Sequence, residues 1–336
     1  MQVTVIGAGV AGLTCALELT ERGAAVEVLE RAPRLDAAGC SWFAGGMLAP
    51  WCERESSEPL IAELGTESIG WWRTHFPGTL VRGTLVVAHR RDTAELAQFA
   101  QRTAHFERLA GDAIAALEPE LAGRFAHGLL FAEEGHLDPR AALQALSERL
   151  RALGTRVRFG ADAACAALAG RTIVDCTGLA ARERLPQLRG VKGEMLLLQS
   201  DEITLTRPVR VLHPRVPVYV VPRGQGLFMV GATMIESDDG TRISARSMLE
   251  LLSAAYALHP AFGEARIVEI GTGVRAAFPD NLPRVERVGG TLYINGLYRH
   301  GFLLAPALAR RAAQLLLDGR HFPEVTHEDT RERRLA

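Results

Sequence analysis

Lysine is almost missing from this chain. Lys192 is the only one in 336 residues, so arginine supplies 37 of the 38 basic side chains. Schiff-base chemistry would rest on that single position, which argues against it. The sequence also lacks a charge excess of either sign, with 38 Lys plus Arg against 39 Asp plus Glu. A dedicated nucleic-acid binder carries a basic surplus, so no nucleic-acid partner is expected. Cysteine is sparse and unpaired in pattern. Cys15, Cys40, Cys52, Cys165 and Cys176 are odd in number and scattered, with no C-x-x-C, which is neither a disulfide framework nor a zinc site. No apolar run reaches the length of a membrane span. The apolar start has no basic stretch before it, so it does not read as a signal peptide. The expectation is a cytoplasmic protein with no metal and no membrane partner.

What is present is an ordinary globular balance, 48% hydrophobic and 23% charged. The length exceeds what one compact core usually holds, which implies two domains. The first thirty residues read as one βαβ unit. Val3 to Ile6 is a short buried strand, a helix carries Leu13, Ala16 and Leu17 on one face and stops at Gly23, and Val26 to Glu30 is the next strand. A second such stretch begins at Asp138, a good N-cap, with Pro139 at the first helical position and Leu143, Leu146, Leu150 and Leu153 as its apolar stripe. Strands at 155–159 and 172–176 follow. Between these units, 79–89, 192–199 and 216–231 read as antiparallel strands, the last turning at Pro222 to Gly226. A helix is expected over 244–258 and another, apolar, over 302–317. The economical arrangement is a discontinuous α/β nucleotide-binding domain (1–78, 136–190 and 271–324). An antiparallel cap is inserted twice (79–135 and 191–270), and 325–336 is a charged, solvated tail.

Gly7-x-Gly9-x-x-Gly12 follows a strand and opens a helix, and Glu30 ends the next strand 18 residues after Gly12. That context makes it a dinucleotide fingerprint rather than a chance glycine turn. The helix N-terminus offers unpaired N–H groups to a pyrophosphate, and Glu30 offers acceptors to ribose hydroxyls. The loop does not separate NAD from FAD. The small residues of 39–50 would let backbone approach a flat ring, with Met47 packing a thioether on it, although a merely flexible loop would have the same composition.

At this point the residues resemble a family. GAGVAG at 7–12, SWFAGGMLAP at 41–50, KGEMLLLQ at 192–199, VYVVPRGQGLFMVGATM at 218–234, GVRAAFPDNLP at 273–283 and NGLYRHGFLLAPA at 295–307 are similar to the glycine oxidases of thiamine biosynthesis. These belong to the D-amino acid oxidase and sarcosine oxidase superfamily. The resemblance runs over nearly the whole chain. It implies a Rossmann-like FAD-binding domain with an inserted antiparallel substrate domain, and non-covalent FAD. The implied reaction is oxidative deamination of glycine or a similar small amine, with oxygen reduced to hydrogen peroxide, for the thiazole branch of thiamine synthesis. It also implies that homo-oligomers are common among relatives.

Residue by residue, the resemblance implies that Arg275 holds the substrate carboxylate. Tyr219 would bond or cover it, Met234 would form an apolar wall, and Arg299 would lie at the pocket near the flavin. For the cofactor it implies Gly7, Gly9, Val10, Ala11 and Gly12 at the pyrophosphate, and Glu30 with Arg31 at the adenosine ribose. Ala163 would meet the adenine and Gly178 would lie beside the cofactor. Cys40, Ser41, Gly45, Gly46 and Met47 would line the flavin. Leu297, Tyr298, Arg299, His300, Gly301, Phe302 and Leu303 would close over its pyrimidine edge.

From pattern alone these residues have plainer readings: Arg275 and Arg299 as surface cations, Tyr219 as half-buried packing, His300 as an inconsequential helix entry, Trp71-Trp72 as core. Two departures bear on function. The last cysteine is Cys176, so a covalent flavin link through a cysteine of the C-terminal third is excluded. Pro217 and the bulky Trp42-Phe43 stand where the family has polar or small residues, which bears on which amine fits. The rivals are a sarcosine, D-amino acid or proline oxidase or dehydrogenase. From another class, a non-catalytic flavin scaffold or an RNA-modification accessory domain remains open.

Overall fold

The computed structural model describes residues 1–37, 39–163, 168, 170–213 and 217–328. In chain order the strands are β1 (Gln2–Ile6), β2 (Ala25–Glu30), β3 (Met47–Leu48), β4 (Thr84–Ala88), β5 (Glu107–Ala110), β6 (His127–Phe131), β7 (Gly135–His136), β8 (Arg156–Phe159) and β9 (Thr172–Asp175). They continue with β10 (Arg189–Gln199), β11 (Val209–Leu212), β12 (Val218–Pro222), β13 (Leu227–Gly231), β14 (Ile235–Glu236), β15 (Arg266–Ala277), β16 (Arg284–Val288), β17 (Thr291–Asn295) and β18 (Thr326–Glu328). The α-helices are α1 (Val10–Glu21), α2 (Pro50–Arg54), α3 (Pro59–His75), α4 (Thr93–Gln101), α5 (Gly111–Leu117), α6 (Pro139–Ala152), α7 (Ala245–Leu258) and α8 (Gly301–Asp318).

Two sheets carry the molecule. The first has the order β18-β16-β17-β9-β1-β2-β8. β1 lies parallel between β2 and β9, and β8 and β17 extend the parallel run on either side. The chain winds outward from β1 in both directions, so the carboxyl ends of β1 and β9 flank a topological switch point, where α/β sheets bind ligands. α1 packs between α6 and α8, and α3 flanks α8, giving a helical layer whose core includes Leu13, Leu17, Leu146 and Leu308. α6 starts as its sequence demands: the Asp138 carboxylate accepts from the Arg140 and Ala141 N–H groups, and Pro139 follows. α8 stops at Gly319, which has φ +66.

The second sheet has the order β14-β10-β13-β12-β11-β4-β6-β5, with β15 on the other side of β10. It is antiparallel except for one pair. β4, from the first insertion, runs parallel to β11, from the second, so that pairing joins the two insertions into one body. α7 begins at the Ser244 cap and packs Leu251, Ala255 and Leu258 beneath the sheet.

Three expectations need correction. Position 271 is not a boundary, because it falls inside β15, which pairs with β10 in the second sheet on both sides of a bulge at Val268. The cap sheet is mixed rather than purely antiparallel, for the reason just given. The segment after 324 does not start as a solvated tail. Val325 is fully buried and Thr326–Glu328 adds to the first sheet beside β16. Hydrogen bonds to a partner forty residues away leave no local pattern by which a three-residue strand could be read. Residues 329–336 and Cys165 lie outside the described residues.

Candidate active site

The cleft begins where α1 begins. Gly7 has φ +100, and a Cβ there would stand 2.9 Å from the Cys176 carbonyl oxygen; a Cβ on Gly12 would stand 1.9 Å from the Gly7 carbonyl oxygen. Only glycine closes this turn. First-turn N–H groups have no acceptor within their own helix. Here the Val10 N–H donates to Ser41 Oγ at 3.1 Å, and the Ala8 N–H donates to Glu30 Oε2 at 2.7 Å. The other Glu30 oxygen accepts from the Ala32 N–H at 2.8 Å. The buried carboxylate is therefore aimed from the end of β2 at the glycine turn, with lone pairs to spare for hydroxyl donors. Gly9 and Ala11 complete the turn and Arg31 is exposed beside it. Gly178, with φ +60, accepts from Asn295 Nδ2 at 2.9 Å. Ala163 is half-buried just beyond the residues that bond to the end of β2.

On the other side of the cleft, residues 271, 273 and 275 share one face of β15, as alternation along a strand requires. A Cβ at Gly271 would meet the Phe43 ring at 2.5 Å, and one at Gly273 would meet Cys40 Cβ at 2.8 Å. The two glycines let the 40–43 turn lie down on the strand. The next side chain on that face is Arg275, and it projects into the space beyond. On β10, a Cβ at Gly193 would stand 2.2 Å from Arg275 Nη2, so glycine there is the condition for the guanidinium's position. Arg275 Nη1 donates to the Thr233 carbonyl at 3.0 Å. Among the described residues it makes no ion pair, so most of its fork remains available.

Two cavities meet at Arg275. One runs past Val10, Cys40, Ser41, Phe43 and Glu194; the other past Gly46, Met47, Glu53, Arg210, Pro217 and Met234. They share Gly45, Tyr219, Arg275, Arg299, Gly301 and Phe302 and so form one cleft from the glycine turn to the cap sheet. Gly45 is bare because Tyr219 lies against it: a Cβ would stand 2.8 Å from the ring. Burial pushes the Tyr219 phenol above its usual range. Met234 is 51% exposed and stands at the mouth, not as a buried wall. Its Sδ accepts from Tyr298 Oη at 3.4 Å and Arg299 Nη1 at 3.5 Å. Leu297 and Tyr298 belong to the loop that enters α8. Gly301, Phe302 and Leu303 bring the start of α8 to the cleft, where Gly301 lies close to Val10. The N-termini of α1 and α8 thus converge, two positive dipole ends on one cleft.

A buried charge network that pattern reading missed surrounds Arg299. Glu53, on α2, places Oε2 2.9 Å from Arg299 Nη2 and 3.6 Å from His300 Nδ1, and Oε1 3.7 Å from Arg210 Nη1. Arg299 also donates to Ser56 Oγ at 2.5 Å. Burial alone would raise the Glu53 carboxyl; Arg299, then the other cations, overcome it and hold the group at about 2. His300 is 4% exposed, and burial pushes it down to about 3. Its Nε2 faces the Arg299 Nε–H at 3.5 Å and Ser57 Oγ at 3.3 Å. The neutral ring therefore accepts at Nε2 and carries its proton on Nδ1, toward Glu53. Glu55 pairs with Arg210 at 3.6 Å. No sequence signal distinguished Glu53, since the run Glu53-Arg54-Glu55 reads as a solvated face. The one clue was Pro50, which starts a helix turn just after the Gly45–Met47 segment.

The donor set fits a dinucleotide that ends in a flat ring. Two helix N-termini and a buried ribose-type acceptor in Glu30 lie along one cleft, which continues past Gly45 to Arg275. Among the described residues no cluster of His, Cys, Asp or Glu side chains could hold a metal, and no helix is long and apolar enough to cross a membrane.

Comparison with known proteins agrees. The chain is 57% identical over 325 residues, 96% of its length and 99% of the relative's, to the Rhizobium etli protein named "Putative thiamine biosynthesis oxidoreductase ThiO". Among solved structures it is similar to glycine oxidase from Geobacillus kaustophilus, with a TM-score of 0.80, 22% identity and 95% of each chain covered. It is also similar to iminodiacetate oxidase from Chelativorans, with a TM-score of 0.81, 21% identity and 97% and 99% covered. The model of the FAD dependent oxidoreductases matches residues 2–315, and the chain belongs to that family.

Proposed function

We propose that this protein oxidises glycine, or a small amine of the same shape, to its imine. Oxygen would be reduced to hydrogen peroxide, and the imine would serve the thiazole branch of thiamine biosynthesis. The observation that carries the reading is the free fork of Arg275 at the junction of the two cavities. A planar guanidinium meets a carboxylate two bonds at a time, and Tyr219 beside it supplies a hydroxyl donor. The 57% identity to the Rhizobium etli protein supports the pathway assignment. A cytoplasmic setting belongs to this reading, and the chain's net charge of −1 supports one without a nucleic-acid partner.

FAD would be held non-covalently. The Gly7–Gly12 turn and the N-terminus of α1 would take the pyrophosphate, Glu30 with Arg31 the ribose, and Ala163 and Gly178 the neighbouring edge. Cys40, Ser41, Gly45, Gly46, Met47 and Leu297 to Leu303 would surround the ring. Bound FAD supplies the two-electron acceptor. Everything else falls to the protein. Arg275 and Tyr219 orient the amine-bearing carbon by its carboxylate. The N–H groups of α8 favour negative charge where the ring's pyrimidine end would rest. Among the described cleft residues no side chain is poised as a base near neutral pH: Glu53 is ionised and paired, His300 has its lone pair turned to Arg299 and Ser57, and Tyr219 is raised. The substrate amine must therefore arrive unprotonated.

Replacing Arg275 with alanine tests the reading. The variant should keep FAD and lose kcat/KM for glycine by roughly two orders of magnitude or more, since bonds to charged groups contribute about 1.5–3 kcal/mol each. Near-normal kinetics would overturn the assignment.

A further inference from the structure

Among the described residues three guanidiniums line the substrate cavity, and only one of them has no carboxylate partner. Arg299 is paired with Glu53 at 2.9 Å, and Arg210 lies between Glu53 at 3.7 Å and Glu55 at 3.6 Å. Glu194, in the adjoining cavity, is paired with Lys192 at 3.1 Å. Among the described residues Arg275 bonds only a backbone carbonyl. Of these three cations Arg275 alone has no carboxylate partner among the described residues, so its charge is the one left for a ligand.

We infer that Glu53 sets the charge of the substrate: by occupying Arg299, it leaves Arg275 as the one cation, among the described residues of the cleft, free for an anionic group, so the cleft selects an amine bearing one carboxylate over an amine bearing two. Glu53 acts here through Arg299 and is a positioning residue. The inference deepens the proposed function and rests on its carboxylate pocket. The low ionisation range of Glu53 keeps the pairing in place across the physiological range. The Arg299 guanidinium is within reach of a second anionic arm, because it lines both cavities and stands beside Met234 at the mouth. Among the described residues Glu53 is the one carboxylate that pairs with it; its other partners, Ser56, His300 and Met234, carry no negative charge. Removing the Glu53 charge while keeping the side chain's size should therefore convert Arg299 from a structural cation into a ligand for a second carboxylate.

The experiment compares acetate with malonate as probes of the FAD-loaded enzyme, each titrated by the change it makes in the flavin's visible spectrum. Wild type should bind malonate no more tightly than acetate. Glu53→Gln should shift the malonate-to-acetate affinity ratio at least tenfold toward malonate. Glu53→Asp, which keeps the charge, should leave the ratio near that of wild type. Glu53→Gln combined with Arg299→Gln should abolish the gain. A purely structural role for Glu53 would weaken both probes together and leave the ratio alone. An unchanged ratio in FAD-loaded Glu53→Gln overturns the inference. So does a wild-type enzyme that binds malonate tenfold more tightly than acetate, a result that needs no variant to fold. If acetate leaves the wild-type flavin unperturbed and does not compete with glycine, the carboxylate pocket itself fails and the inference falls with it. If acetate binds and only the ratio is unmoved, the role of Glu53 alone fails.

Discussion

Trp72 Nε1 donates to the carbonyl oxygen of Phe302 at 2.7 Å, inside the core and one residue into α8. The helix cannot use that carbonyl itself. Its partner four residues on is Pro306, which has no N–H. The indole supplies the missing donor and stacks on the Phe302 ring at a centroid distance of 5.6 Å. An apparent flaw in α8 is thereby turned into an anchor between α3 and the helix start that faces the cleft.

Trp72→Phe keeps most of the ring and removes the donor. It should lower unfolding stability by about 1–3 kcal/mol, the cost of a buried carbonyl left without a partner. Pro306→Ala restores an N–H to the same carbonyl and should recover part of the loss in the double variant. Thermal unfolding of the four proteins measures this as a coupling between the two positions.

The pH dependence of turnover should belong to the substrate. Glu53 near 2 and His300 near 3 do not change charge between pH 5 and 9. Accordingly kcat/KM for glycine should rise about tenfold per pH unit until the amine is deprotonated, with no separate limb from either residue. Rate profiles of wild type and His300→Asn check this. A limb between pH 5 and 8 that disappears in the variant would show His300 acting as a base.

Stability should respond to pH through Glu134. Its Oε1 accepts from the Trp51 and Cys52 N–H groups at 2.9 and 2.7 Å, in full burial. Burial raises the carboxyl to about 8, against the opposing pull of the Cys52 N–H. The folded state then binds the proton more tightly than the unfolded state does, so this contribution is complete below about 4.5 and is lost as pH rises toward 8. Glu134→Gln holds the same acceptor without the titration. Denaturant unfolding from pH 5 to 8.5 should show wild type losing stability relative to the variant as pH rises. Parallel curves would refute this.

Much of the cofactor half was legible because its determinants are local. Gly7, Gly9 and Gly12 with Glu30 define a turn and the strand beside it within thirty residues. Asp138-Pro139 and Ser244 announce helix starts, and Pro222 to Gly226 announces a hairpin. The substrate side was legible only by resemblance. Arg275 is distinguished by Gly271 and Gly273 on its own strand and by Gly193 on another, and the spacing of glycines across two strands has no meaning until the register is known. Glu53, Arg210 and His300 come from three segments, with Glu53 more than a hundred residues from the other two. In sequence each is an ordinary charged or polar residue, and only the fold brings Arg210 and His300 within 4 Å of Glu53. The same reason hid Thr326–Glu328, whose strand exists only because β16 offers it an edge.

The most direct test of the central claim is the visible spectrum of the purified protein under nitrogen, before and after glycine. The account predicts a yellow protein whose flavin band bleaches on adding glycine and returns when air is admitted. A yellow protein whose band is unmoved by glycine would contradict the proposed reaction while leaving the family intact.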